Sequence, residues 1–162
     1  MSSRAFFYLC VGVLLTPLLT MGRFSVAAAQ GAAQASPAGR WKNIDDKSGK
    51  PKSLLVLWEK DGKLYGRIEQ ILDPAPDNPD HKCIHCAGAL KDKELLGMEI
   101  LWDLKPEGSE WSGGFIFDPD NGKTYKCVVE VQDGGKKLKV RGFIGFSLLG
   151  RTQYWYRDES TP

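Results

Sequence analysis

The chain has few of the groups that hydrolytic chemistry uses. Its only histidines are His81 and His85, both in one proline-containing stretch, so no serine, histidine and acid form a recognisable nucleophilic set. The basic surplus of a nucleic-acid binder is missing too. If residues 1–29 are removed, Arg4 and Arg23 go with them, leaving 20 basic against 20 acidic residues, with no basic run beyond pairs such as Lys136-Lys137. There is no internal repeat. No apolar run after residue 29 approaches the ~20 residues that a membrane-spanning helix needs.

What is present begins with an export layout. Arg4 precedes an apolar core from Phe6 to Leu19, and the small-residue run Ala27-Ala28-Ala29 stands ahead of Gln30. This order predicts a cleaved signal peptide over 1–29 and a periplasmic or secreted protein with no membrane span after cleavage. Gly12 and Pro17 interrupt the apolar core, which argues against anchoring. Cys10 follows Phe7-Tyr8-Leu9 rather than small residues, which argues against a lipid anchor. Residues 30–38 are Ala, Gln, Ser, Gly and Pro, too poor in large apolar groups to pack, and read as a flexible leader. The remainder, 39–162, is enough for one domain.

From Gly39 onward the pattern is strand, turn, strand. The runs are Arg40–Ile44, Ser53–Glu59, Lys63–Ile71, Leu96–Leu104, Glu110–Phe117, Lys123–Val131, Lys136–Ile144 and Gln153–Arg157. Turn chemistry separates them at Lys60-Asp61-Gly62, Pro119-Asp120-Asn121-Gly122 and Asp133-Gly134-Gly135. Eight strands with short links predict an all-β, antiparallel up-and-down barrel, since closure removes exposed edges; the alternative is a β-sandwich. Only residues 72–95 form a long excursion. Side-chain alternation puts Leu138, Val140, Gly142 and Ile144 on one face, and Tyr125, Cys127, Val129 and Val131 on another. It also groups Trp111, Phe115 and Phe117.

Gly39-Arg40-Trp41 and the terminal Trp155-Tyr156-Arg157 stand at the two ends of this array. The first resembles the Gly-x-Trp of lipocalins and their calycin relatives, in which an arginine of the last strand stacks on the tryptophan and closes the barrel floor. Trp41 and Arg157 are therefore expected to form a structural barrel end. A wider resemblance covers nearly all of the chain after the leader. It is carried by Trp41 with Asp45-Asp46 and Gly49, Leu64-Tyr65-Gly66, Cys83-x-x-Cys86, Leu96-Gly97-Met98, Trp111-Ser112-Gly113-Gly114, Asp118-Pro119 with Gly122-Lys123-x-Tyr125, Val140-Arg141-Gly142 and Leu149-Gly150-Arg151-Thr152-Gln153-x-Trp155. These look like the bacterial family called domain of unknown function 2147. The resemblance implies an exported bacterial protein with a lipocalin-like barrel and carries no catalytic residues to transfer.

Three cysteines, Cys83, Cys86 and Cys127, follow the signal segment. In the chain-entropy view a Cys83–Cys86 bridge contributes about 2 kcal/mol, and pairing either with Cys127 about 4. Proximity favours the first pair and stability the second. Cys127, among Tyr125, Val129 and Val131, reads as a small buried hydrophobe, so the expected bridge is Cys83–Cys86. His81, Cys83, His85 and Cys86 could in principle hold zinc, but their spacing fits no common site and lacks a second arm. Neither metal nor cofactor is expected. Gly122-Lys123-Thr124 is no phosphate loop, because Phe117 stands where its first glycine must be.

Strand parity places Arg151, Gln153, Trp155 and Arg157 on one side, and an inward guanidinium needs an acid, water or a ligand's anionic group. The sequence thus predicts a non-enzymatic protein that holds a small apolar or amphiphilic molecule. In this reading Arg151 and Gln153 orient its polar head, and Phe115, Phe117, Tyr125 and Trp155 contact its body. The alternative is a filled barrel that acts as an interaction or stress-related module, with an envelope protein as partner.

Overall fold

A computed structural model of the chain describes residues 35–146 and 148–160. The predicted signal peptide, and the start of the leader, lie outside the described residues. Eight strands follow one another: β1 (Gly39–Ile44), β2 (Pro51–Lys60), β3 (Lys63–Ile71), β4 (Glu99–Glu107), β5 (Glu110–Asp118), β6 (Lys123–Gln132), β7 (Lys137–Phe143) and β8 (Gly150–Arg157). Each pairs antiparallel with the next, and β8 pairs with β1 through Trp41 with Arg157 and Asn43 with Trp155. The sheet is a closed up-and-down barrel rather than a sandwich. Among the described residues no helix is long and apolar enough to cross a membrane.

The up-and-down order sorts the connections into two ends. Turns 61–62, 108–109 and 133–136 close one end, where the chain also enters and leaves; 45–50, 72–98, 119–122 and 144–149 surround the other. Asp61 and Gly62 both take positive φ, the two-residue turn geometry that suits the strand twist between Lys60 and Lys63. The closed half is filled. Trp41, Leu57, Leu64, Leu101, Leu104, Cys127, Val129 and Leu138 are all buried there, and the alternations expected for β6 and β7 hold.

Three sequence expectations need correction. The fourth strand begins at Glu99, not Leu96. Leu96 is well exposed, and Gly97 takes a positive φ of 80° in the loop before the strand. The last strand begins at Gly150, three residues early. The leader is not free where the structure describes it: Pro37 is fully buried, its carbonyl accepts the Trp41 Nε1–H at 2.8 Å, and the Ser36 and Ala38 carbonyls accept from Arg157. Composition missed this because what packs is one proline ring and three backbone carbonyls, not a run of large side chains.

Just past β8, Asp158 ties the closed end together. Its side chain is buried, with Lys42 Nζ at 2.8 Å, Arg40 Nη1 at 3.6 Å and a bond from the Ser160 hydroxyl at 2.7 Å. The bonds from Lys42 and Ser160 hold its carboxyl down to about 2, below the usual 3.8. A lowered carboxylate pKa stabilises the fold above the unfolded value, and that stability is lost as pH falls through the folded one. The urea midpoint should therefore drop between about pH 4 and pH 2, with a shallower drop in Asp158→Asn. Parallel acid profiles for the two proteins would refute this.

Candidate functional site

The open half of the barrel is hollow. A cavity of about 480 Å³ runs in from the open end, within the range of small-molecule sites. Its wall is largely apolar: Leu55, Ile68, Ile100, Ile116, Val140 and Trp155 project from six strands. It stops where the packed half begins. Leu55 lines it while its cross-strand neighbour Trp41 is fully buried. The cavity therefore has one mouth and an end plugged by the Trp41–Arg157 pair, whose guanidinium carbon lies 4.1 Å from the ring centroid.

Four unpaired neutral polar groups stand in the cavity lining. Ser53 is 5% exposed and lines the cavity, and among the described residues its hydroxyl has no hydrogen-bond partner. The Gln153 amide, half-buried, also lines it without a partner among those residues, and Asn43 Oδ1 and Trp155 Nε1 are buried there unpaired. Polar groups left unpaired in an apolar recess represent unused binding capacity, because a partner of matching chemistry would recover their desolvation cost.

The mouth is acidic. Asp45, Asp73, Asp118 and Asp120 line it, with Lys52 and Arg151 as its cationic side chains. Both cations are engaged: Lys52 pairs with Asp120, and Arg151 pairs with Asp46 through Nε at 2.6 Å and Nη2 at 2.5 Å. Asp45, Asp73 and Asp118 form no ion pair among the described residues, although the charge of Lys52 acts on Asp45 and those of Arg151 and Lys52 act on Asp118. Burial pushes the Asp118 carboxyl above the usual carboxylate range, and the charge of Asp120 adds to the rise. In contrast, bonds from the Ser48 and Lys47 amides hold Asp45 down.

The structure gathers most of the predicted site residues and rejects one. Phe117, Tyr125, Arg151, Gln153 and Trp155 all line the cavity. Phe115 does not: it is 39% exposed and packs against Trp102 on the outside, ring centroids 6.0 Å apart. The cause is a bulge. Gly113 takes φ of 75°, and the β5–β6 register shifts between Trp111 and Gly114, so the alternation that grouped Trp111 with Phe115 is broken. Ile116 takes the inward place. Arg151 meets an acid, one of the partners its position calls for: Asp46 pairs with it at the rim.

The long excursion supplies part of the wall. Asp73, Pro74, Ala75, Asn78, His81 and Leu95 reach the cavity from it. The loop is held at Asn78, which donates to the Lys82 carbonyl and accepts the Lys82 amide, and by the close seat of the His85 carbonyl on Gly122, where a Cβ would come within 2.2 Å. Cys83 and Cys86 lie at disulfide distance in this loop, Cα to Cα 5.3 Å, while Cys127 is buried with a free thiol whose pKa burial pushes well up. Non-reducing peptide mapping should return the 83–86 pair with Cys127 reacting only after unfolding. Cys83→Ser should cost about 2 kcal/mol. A Cys127 bridge would reject this arrangement. Among the described residues no three histidine, cysteine or acidic side chains gather as a metal set.

No curated protein matches the chain. Among solved structures, protein HP1028 from the human pathogen Helicobacter pylori, described as belonging to the lipocalin family, is similar with a TM-score of 0.65 at 21% identity, over 77% of this chain and 84% of that one. At that identity the likeness speaks to the fold, which is lipocalin-like. The model of the family described as "uncharacterized protein conserved in bacteria", DUF2147, matches residues 39–157, from the glycine that opens β1 to the arginine stacked on Trp41, and the chain belongs to that family.

Proposed function

We propose that the barrel binds one small, largely apolar and uncharged molecule, and that it acts as a binding protein rather than an enzyme. The observation that carries this reading is the division of the interior into a packed half and a hollow, one-mouthed half of about 480 Å³. A filled barrel would have no such recess. The lipocalin-like fold is in keeping with it. The uncharged character follows from the mouth: an anionic head would meet Asp45, Asp73 and Asp118, while the arginine expected to receive it is already paired. Ser53 and Gln153 suit a hydroxyl or carbonyl deeper in. We also propose that the protein is exported, a reading that rests on the N-terminal segment alone.

Nile red, an uncharged apolar fluorophore, should titrate the chain from Gln30 onward with saturable enhancement. Anilinonaphthalene sulfonate, which is anionic, should bind about tenfold more weakly, the effect of ~1.4 kcal/mol of repulsion. Gly142→Leu is the decisive variant. A Cβ at Gly142 would meet Ile116 and Tyr125 at ordinary contact, 3.4 and 3.5 Å, so the larger side chain fills the cavity without striking backbone. Binding should be lost while the melting curve stays cooperative. No saturable binding by the wild type, or full binding by Gly142→Leu, would move the interaction-module reading ahead.

A further inference from the structure

The loop from β7 to β8 is unlike the rest of the surface. Ile144, Phe146, Leu148 and Leu149 are 63%, 82%, 89% and 75% exposed, and of the other large apolar side chains described only Leu96 exceeds 50%. The stretch from Gly142 to Gly150 has no charged residue, and Arg141 and Arg151 flank it. Scattered single hydrophobes are ordinary on a surface. Four on one hairpin tip, close to the exposure of an unfolded chain, are an interaction site. The tip is also held in shape: Arg141 Nη2 donates to the Leu148 carbonyl at 3.2 Å and Nη1 to the Thr152 hydroxyl at 2.8 Å, and the Leu149 amide donates to the Phe146 carbonyl.

We propose that this tip docks the protein on a lipid bilayer, with the cavity mouth facing the membrane. Two features choose lipid over another occupant. The tip is a narrow projection; a stable contact with a second copy needs about 20–30 residues on each side, far more than one hairpin offers. A tip of this size suits insertion by about 5–10 Å into the boundary between headgroups and acyl chains. The charge around it is mixed: Lys126, opposite Phe143, and Lys123, at the same end of β6, are exposed and have no carboxylate partner among the described residues, while Asp45, Asp73 and Asp118 line the mouth at that end, so apolar insertion rather than headgroup charge holds the tip. Finally, the tip is the rim of the cavity. Ile144 and Leu149 line the cavity as well as facing solvent, so the apolar surface continues from the hairpin to the barrel interior without a polar break along that side. A molecule too apolar to cross water could pass between bilayer and barrel along that path. Docking itself does not require the cavity reading; only the transfer of a ligand rests on it.

Flotation of the chain from Gln30 onward with phosphatidylcholine vesicles tests the proposal. The double variant Phe146→Ser with Leu148→Ser removes the two side chains that point away from the cavity. It should lower the vesicle-bound fraction at limiting lipid about tenfold or more, since insertion strength scales with buried apolar area. Its melting temperature and Nile red affinity should stay as in the wild type. The proposal is overturned if the wild type does not float, if the variant floats equally, or if the wild type is a dimer that the variant turns into a monomer. Flotation without Nile red binding would sink the cavity reading and leave docking standing, and the reverse result would do the opposite.

Discussion

Trp41→Ala should remove about 3–5 kcal/mol of stability, a large share of the roughly 5–15 kcal/mol that holds a domain folded. Trp41 is the largest fully buried side chain at the closed end, and its loss leaves a void that the surrounding leucines cannot collapse into. Arg157→Ala should cost about 3 kcal/mol by a different route. The stacked guanidinium donates to three backbone carbonyls, those of Ser36, Ala38 and Gly135. Removing it strips those acceptors and frees the Ser36–Ala38 segment that covers the tryptophan. Urea denaturation at neutral pH measures both. Because this end is remote from the mouth, Nile red affinity of the still-folded variants should be close to that of the wild type. An unmoved midpoint for Arg157→Ala would show that the floor does not depend on the stack.

The barrel was legible because its signals are local and redundant. Asp61-Gly62 and the turn at Asp118–Gly122 announce hairpins, and β7 alternates Leu138, Val140 and Gly142 against Lys137, Lys139 and Arg141, so turn chemistry and period agree. Trp41 and Arg157 lie at opposite ends of the described domain and meet because closure sets β8 against β1. Once eight consecutive strands are accepted, that contact follows. Strand starts were less visible: β8 begins at Gly150, under a residue with no side chain to show a period, and Leu96-Gly97-Met98 has the apolar content of a strand while lying in a loop.

The site was legible where parity ran unbroken and lost where it did not. On β8 the alternation holds from Arg151 to Arg157, and Gln153 and Trp155 fall inside as expected. On β5 one bulge at Gly113 sent Phe115 outward and put Ile116 inward. Ser53 carries no such signal, since the run that follows it, Leu54 to Trp58, is apolar on both sides and shows no face. Asp46 could not be matched with Arg151 because the pair is 105 residues apart and is brought together where the loop after β1 meets the start of β8. The acidity of the mouth likewise comes from three separate connections, each unremarkable alone.

Gly114→Ala should be as damaging as any cavity variant, though it adds a single methyl group. Where β4 and β5 cross, a Cβ on Gly114 would stand 2.3 Å from the Trp102 carbonyl oxygen, 2.4 Å from the Leu104 nitrogen and 2.6 Å from the Asp103 carbonyl carbon. All three are backbone atoms, so no rotamer change can relieve the clash; the strands themselves must part. The β4 backbone is poorly placed to yield there. Asp103 is already in a left-handed conformation, φ 62°, and is tied to β3 by Lys63 at 2.7 Å and Tyr65 at 3.2 Å. Parting the strands would also disturb Leu101 and Leu104, both fully buried. A loss of about 3 kcal/mol or more is expected, against about 0.5–1 for Ser112→Ala two residues away on the surface. Thermal melting of the two variants separates backbone contact from mere nearness to the bulge. Equal melting temperatures would mean that β4 and β5 give way freely where Gly114 faces the β4 backbone.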